Sequence, residues 1–307
     1  QSKLKAAGAE LVPIHDDRYP ARLREIYDPP PMLFARGRVE LLSTLMLGVV
    51  GTRRPTAYGT AASARLSQDL ATAGLTIASG MARGIDTAAH KAVLESGGNT
   101  VAVFGCGVDM IYPAENRKLS EQIADKGLLL SEFPMGAPPY PQNFPVRNRI
   151  ISGMSCGVLI IEGAEYSGSA ITARLALQQD REVFAVPGNI TSKASWGPNL
   201  LIKQGAKLVQ DWNDVFVDLP AEDRRQLAAL CKQRMPDTAT QESLDLEPPR
   251  EEMKHLLALI PRDNPISLDT LVEASGQSAA EALASLFEME MSGMIRQLPG
   301  KQFVRSW

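Results

Sequence analysis

Arginines set in small-residue turns recur along this chain in a pattern that suits anion binding. Gly51-Thr52-Arg53-Arg54 follows one apolar run, Ser79-Gly80-Met81-Ala82-Arg83-Gly84 a second, and Gly105-Cys106-Gly107 a third. Ser167-Gly168-Ser169, with Thr172 just beyond, and Pro187-Gly188-Asn189 complete the set. Glycine lets backbone N–H groups come close to an anion, and a helix that starts after such a turn adds partial positive charge at its N-terminus. Ser79, Ser167, Ser169 and Thr172 add hydroxyl donors. A single turn of this kind is an ordinary strand-to-helix connection. Five of them, with Arg53, Arg54 and Arg83 inside, point to a rim that cradles phosphates.

The densest stretch is Asn143-Phe144-Pro145-Val146-Arg147-Asn148-Arg149-Ile150-Ile151. Pro145 suits the first turn of a helix. Phe144, just ahead of it, is either an aromatic for base stacking or a hydrophobic staple at the helix entry. Arg147 and Arg149 are two residues apart, so a helix sends them to different sides. One is expected to pair with Glu132 or Glu162 and the other to face the ligand. Their spacing leaves open which does which.

Other chemistries lack their residues. There is no GxxxxGK[ST] for a nucleoside triphosphate, and Met110 stands where a third glycine would complete Gly105-Cys106-Gly107. The second strand ends in Ala78-Ser79, with no acidic residue for a ribose. Asp86 reads as a helix N-cap and His90 as a helix-face residue one turn on. Glu132 and Glu162 end strands and could form an acid pair, but a role paired to arginine is expected of them. No catalytic residue and no cofactor are therefore assigned. Cys106, Cys156 and Cys231 are scattered without a CxxC, and His15, His90 and His255 lie far apart. That pattern implies no metal site, no disulfide framework and a reducing cytoplasm. No stretch is long and apolar enough to span a membrane. The start, Gln1-Ser2-Lys3, lacks a signal-peptide core and an initiator Met, so an N-terminal piece is expected to be missing.

The 307 residues carry a net charge of −3. By segment the balance is +1 over residues 1–44, 0 over 45–219, −2 over 220–249 and −2 over 250–307. A nucleic-acid site on this chain must be a local patch.

The elements that would position such a patch follow from apolar spacing. Short apolar runs at 45–50, 76–78, 100–104, 128–131, 157–161, 182–186 and 207–209 read as buried strands. Helical patterns at 58–73, 86–96, 114–126, 170–179 and 199–204 lie between them. The alternation predicts an α/β fold with an open, mostly parallel, doubly wound sheet. Its ligand site belongs outside the carboxyl ends of the strands. Residues 1–44 read as a cap on this domain leading into a strand at 32–35, and 45–219 as the binding domain itself. The polar segment 220–249 reads as a linker. Residues 250–307 read as a small winged-helix domain, with helices at 251–259, 268–274 and 279–291 and a hairpin at 293–305 around Pro299-Gly300. The third helix carries Glu281, Glu288 and Glu290 and no Lys or Arg. Groove readers need cations, so this domain is expected to bind protein, or duplex DNA only weakly through Lys301 and Arg305. That argues against a transcription factor.

Seven motifs in fixed order, GTRRPTAYG (51–59), SGMARGIDTAAH (79–90), FGCGVDMIYP (104–113), LSEFP (130–134), FPVRNRIISGMS (144–155), SGSAITA (167–173) and AVPGN (185–189), resemble the DprA/Smf family over roughly residues 10–219. The C-terminal pattern resembles the winged helix that many members carry. The resemblance implies an extended Rossmann-like fold and binding of single-stranded DNA without strong sequence preference. It further implies homodimers, protection of incoming DNA during natural transformation, and loading of the recombinase RecA. It implies no catalytic reaction and no cofactor. Carried over by motif, the DNA pocket would use Gly51, Thr52, Arg53 and Arg54, then Ser79, Gly80, Arg83 and Gly84, then Gly105 and Gly107. Phe144, Arg147, Asn148, Arg149, Ser167, Gly168, Ser169 and Thr172 would complete it. Pro141-Gln142-Asn143 departs from the pattern, because many members place a basic residue there. A SAM-like N-terminal domain found in some members is absent or was removed. The alternative is a nucleotide-processing enzyme resembling the Lonely Guy/lysine-decarboxylase-like group, which carries PGGxGTxxE. The comparable stretch here, residues 162–169, reads EGAEYSGS and lacks those glycines and the catalytic Glu.

Overall fold

Period-two burial builds the central sheet. Along Met46–Val50 every residue is buried, with Met46 and Val50 packing on one face and Leu47 and Val49 on the other. A strand buried on both sides needs helices on both sides. The computed structural model describes residues 2–165 and 167–234. Beyond these it describes 256–257, 259–260, 266–276, 282, 285–286, 289, 295–298 and 302–305. The chain divides into two compact units, Gln1–Pro236 and Asp237–Trp307.

The strands of the first unit are β1 (Ala9–Pro13), β2 (Met32–Gly37), β3 (Met46–Val50), β4 (Thr76–Ser79), β5 (Thr100–Val103), β6 (Leu128–Ser131), β7 (Gly157–Ile160), β8 (Glu182–Ala185) and β9 (Lys207–Leu208). They form one sheet in the order β1-β2-β6-β5-β4-β3-β7-β8-β9. The run from β6 to β9 is parallel, and β2 joins β6, and β1 joins β2, antiparallel. The helices are α1 (Ser2–Ala6), α2 (Ala21–Arg24), α3 (Ala57–Thr72), α4 (Ile85–Glu95), α5 (Arg117–Lys126), α6 (Asn143–Gly153), α7 (Gly168–Gln178), α8 (Trp196–Lys203), α9 (Trp212–Asp218) and α10 (Ala221–Arg234). Leu66 and Leu70 of α3 and Ile85, Ala89 and Val93 of α4 cover one face of the sheet. Ile150 and Ile151 of α6 and Ala173 and Ala176 of α7 cover the other. The expected doubly wound architecture is present.

Its topology makes a site. From β3 the chain lays β4, β5 and β6 on one side, then returns to lay β7, β8 and β9 on the other. The reversal opens a crevice at the carboxyl ends of β3 and β7, where open α/β sheets place their ligands.

Two expectations change. The cap at 1–44 contributes two strands, because β1 pairs with β2 from Ala9–Arg36 to Pro13–Met32 and extends the sheet. The segment read as a linker from 220 begins with a helix instead. In α10, Leu227 is fully buried and Asp223 nearly so, pairing with Arg22. Its mean composition is polar, so only packing against the body reveals the helix as part of it.

In the second unit, β10 (Ile266–Ser267), β12 (Gln302–Arg305) and β11 (Ile295–Leu298) form an antiparallel sheet in that order. The short β10 was not expected. Helix α11 (Leu268–Ser275) starts at Ser267, whose hydroxyl accepts the Thr270 N–H at 3.3 Å, and ends at Gly276 in the left-handed conformation. Leu256, Ile260, Leu271, Leu286, Met289, Ile295 and Phe303 form its core. The first predicted helix is described only at 256–257 and 259, and the third only at 282, 285–286 and 289. Glu281, Glu288, Glu290, Pro299-Gly300, Lys301 and the side chain of Arg305 lie outside the described residues.

Candidate nucleic-acid interface

The turns after β3 and β7 are tied to each other. Thr52 N–H donates to the Glu162 carbonyl at 2.7 Å. The buried Glu162 carboxylate accepts the Thr56 N–H at 2.9 Å and the Thr56 hydroxyl at 2.6 Å. Thr56 in turn caps α3 by accepting the Gly59 N–H at 3.1 Å. Glu162 thus fixes the residue that caps α3, and among the described residues it pairs with no arginine.

Between these turns lies a cleft of about 550 Å³. Gly51, Thr52, Arg53 and Arg54 form one wall, and Ser167, Gly168, Ser169 and Thr172 at the start of α7 form another. Phe144, Arg147, Asn148 and Ile151 line it from α6, with Ala82 from the β4–α4 connection and Asp86 from the first turn of α4. Asn148 Nδ2 donates to the Gly168 carbonyl at 3.4 Å, linking α6 to α7.

The two arginines of α6 separate as their spacing requires. Arg149 turns outward and is held bidentately by Glu132, at 2.7 Å on each nitrogen, and by Asp28 at 2.8 Å. Arg147 turns inward and is only 4% exposed. Its Nη1 donates to the Gly80 carbonyl at 2.9 Å and to the Val103 carbonyl, while its Nε has no partner. Burial pulls its pKa down to about 10, which leaves it charged at neutral pH.

Phe144 is half-buried at the cleft mouth. The Arg53 guanidinium lies 5.5 Å from its ring centroid, within cation–π range, and Tyr112 packs at 5.3 Å with a 40° tilt. Gly105 is the reason the ring fits, because a Cβ there would come within 2.9 Å of Phe144 Cδ1. Neither Arg53 nor Arg54 has an ion-pair partner among the described residues, in contrast to Arg83, which Glu115 holds at 2.8 Å.

Asp86 does not cap its helix. Gly84 occupies the cap position at φ +78°, and the Asp86 carboxylate folds back to accept the N–H groups of Gly80 at 3.1 Å and Ala82 at 3.3 Å. Those two amides are therefore already engaged. Burial raises the Asp86 pKa to about 6, against the opposing pull of Arg147 and the two amides. His90 is fully buried, with Nδ1 2.7 Å from the Thr100 hydroxyl and Nε2 unpartnered. Burial, then Arg147, pushes its pKa down to about 3.

The hydroxyls of several expected site residues have partners within the chain. The Ser79 hydroxyl is buried and donates to the Val49 carbonyl at 2.6 Å. Thr172 donates to the Gly168 carbonyl at 3.2 Å, and Ser167 and Ser169 bond each other at 2.7 Å. Gly84 lets the loop pass against the Thr52 carbonyl, where a Cβ would clash. Gly105, Gly107 and Arg149 lie outside the cleft lining, and Gly80 and Arg83 line a small notch that shares Phe144, Arg53 and Ala82 with the cleft. Sequence reading missed Asp86, Ile151, Ile171 and Pro141 in the cleft and Tyr112 beside it. Only Ile151 carried a signal, as one turn from Arg147 on the same helix face.

The cleft, its helix N-termini and its arginines fit an anionic ligand with a flat group. Residues 10–220 match the family described as DNA recombination-mediator protein A. The chain belongs to that family. Residues 238–301 match the DprA winged helix domain, in line with the fold expected of residues 250–307. Among relatives of this family, the Smf protein of Escherichia coli K12 is 40% identical over 300 residues, 97% of this chain and 78% of its own length. The DNA processing protein DprA of Bacillus subtilis is 46% identical over 69% of this chain and 72% of its own. The X-ray structure of DprA from Streptococcus pneumoniae matches with a TM-score of 0.68 and 42% identity, covering 71% of this chain and 78% of that one. A structure that concerns the single-stranded DNA binding mode of DNA processing protein A from Helicobacter pylori matches with a TM-score of 0.63 and 32% identity, over 69% and 97%. No helix among the described residues is long and apolar enough to cross a membrane.

Proposed function

We propose that this protein binds single-stranded DNA in the cleft between β3 and β7, without strong sequence preference, and mediates RecA loading during recombination of incoming DNA. One observation carries the reading: Arg53, free of any ion-pair partner among the described residues, lies over the half-buried ring of Phe144 at the mouth of the cleft. A cation for the backbone beside an aromatic for the base is what sequence-tolerant binding requires, because every base has a π-face. The relative whose structure concerns single-stranded DNA binding supports the same ligand. The strand backbone runs along the rim of Thr52, Arg53, Arg54 and the start of α7, and Arg147 supplies charge from the floor. Duplex DNA is disfavoured because its bases are not free to stack on Phe144.

The role is binding and not catalysis. Glu162, Glu132 and Asp86 are each held by internal donors, as structural acceptors are. The remaining parts of the reading, a homodimer, the RecA partner and a cytoplasmic place, rest on family membership.

Fluorescence anisotropy with labelled oligothymidine and a matched duplex across a salt series tests the reading. Single strands bind more tightly than duplex, and log K falls by roughly 0.7 per phosphate contacted for each tenfold rise in salt. Arg53→Ala weakens binding to all single-stranded sequences alike, by about tenfold. Equal affinity for duplex, or unchanged binding in Arg53→Ala, overturns it.

A further inference from the structure

Phe144 belongs to the lining of two openings. Arg53, Ala82 and Phe144 line the cleft and also line a second, smaller opening of about 20 Å³. Gly80, Arg83, Tyr112 and Pro113 complete that notch. Tyr112 continues the aromatic wall from Phe144 and leaves 38% of its surface exposed. Arg83 stands at the notch with its guanidinium held through Nε and Nη2 by the two carboxylate oxygens of Glu115. Both side chains are more than half exposed, at 56% and 54%.

That pair does no evident structural work. Its loop is already fastened to the neighbouring segment by Asn116, which is buried and donates to the Met81 carbonyl at 3.0 Å and to Thr87 Oγ1 at 2.9 Å. An ion pair so exposed contributes little to stability. Its geometry is the fork-to-fork contact that guanidinium makes equally with carboxylate or phosphate. Glu115 therefore occupies the edge of Arg83 that such a contact uses.

We propose that Tyr112 and Arg83 form a second nucleotide seat, which receives the strand as it leaves the cleft around Phe144, and that Glu115 holds the phosphate position on Arg83 until the strand displaces it. The inference rests on the single-stranded DNA reading above. It makes Glu115 a built-in competitor that weakens binding and makes the two seats act together only for strands long enough to pass the ring.

Glu115→Gln removes the competitor and keeps the shape. With the full chain, a longer oligothymidine is expected to bind Glu115→Gln about threefold more tightly than wild type, while one short enough to fill only the cleft shows no change. Arg83→Gln abolishes the gain and flattens the salt dependence by roughly 0.7, the loss of one phosphate contact. Tyr112→Leu weakens the longer strand about fivefold, the low end for one base stacked on an aromatic. Arg53→Ala is measured alongside. If it weakens both strands while Glu115→Gln and Tyr112→Leu leave the longer one unchanged, the second seat is wrong and the cleft reading stands. If Glu115→Gln lowers the thermal midpoint and does not tighten binding, the pair is a structural staple and the inference fails. If Arg53→Ala also has no effect, the cleft reading itself has failed.

Discussion

The two sides of helix α6 put the same residue type to opposite uses. On the outer side Arg149 meets three carboxylate oxygens, from Glu132 and Asp28, and its charge is spent within the protein. On the cleft side Arg147 donates to backbone carbonyls and its Nε is unpartnered; among the described residues no carboxylate is in ion-pair contact with it, and the buried Asp86 acts on it only through space. Arg53, also on the cleft side, lies over the Phe144 ring and has no ion-pair partner among the described residues. An arginine is available to a polyanion where the fold withholds acidic partners, and a net charge of −3 does not reveal where that happens.

Substitutions on the two sides should therefore separate stability from binding. The largest effect is expected from Arg147→Met, which leaves the Gly80 and Val103 carbonyls without their donor and Asp86 without its counter-charge. Breaking a buried charged network of this kind costs about 3–5 kcal/mol. A urea titration followed by circular dichroism reads it, and a loss under about 1 kcal/mol would show that Arg147 is not a structural part of the floor. Arg149→Met comes next. It strands Glu132 in a half-buried place and costs about 1–3 kcal/mol, while affinity for single strands stays unchanged. A clear drop in affinity in a folded Arg149→Met protein would erase the distinction between the two sides.

The pH dependence sharpens the same contrast beneath the cleft. His90 is held neutral, its pKa lowered to about 3, whereas in an unfolded chain it titrates near 6.5. The unfolded state thus takes the proton first, and His90 removes stability as pH falls from about 6.5 towards 3. Asp86 acts in the opposite sense. Its folded pKa near 6 lies above the unfolded value, so the folded state takes the proton first and gains stability as pH falls from about 6 to 4. On going from neutral to mildly acid pH, the denaturation midpoint should move in the stabilising direction in His90→Gln and in the destabilising direction in Asp86→Asn, each relative to the wild-type change. A His90→Gln protein with the wild-type pH slope would mean that His90 titrates alike in the folded and unfolded chain and is not held neutral by the fold. The smallest effect on stability belongs to Arg53→Ala, within about 0.5 kcal/mol. A larger melting change would make Arg53 a packing residue and leave its binding role without separate support.

Much of the architecture was legible because strands buried on both faces must be continuously apolar. The runs at 45–50, 128–131 and 157–161 each contain a strand of the sheet. Segments whose role depends on neighbours were less legible. Helix α10 looks like a polar linker until Leu227 and Asp223 are seen buried against the body, and β1 has only Val12 buried along its length. In the site, the turns after β3 and β7 and the arginine-bearing start of α6 do converge. Of the hydroxyls expected there, Ser79 and Thr172 donate to carbonyls of the chain, whereas Ser167 and Ser169 bond each other at the cleft wall.

The order of strands and helices, the turns between them and the divergence of Arg147 from Arg149 are properties of the sequence itself, because apolar period and helical pitch act over a few residues. Which arginine keeps a free edge, which carboxylates cap amides, and whether Phe144 stands at an opening were settled only by tertiary structure. Those outcomes depend on pairs such as Arg149 with Glu132, brought together as α6 folds back on the end of β6, and Arg53 with Phe144, which lie far apart in the chain.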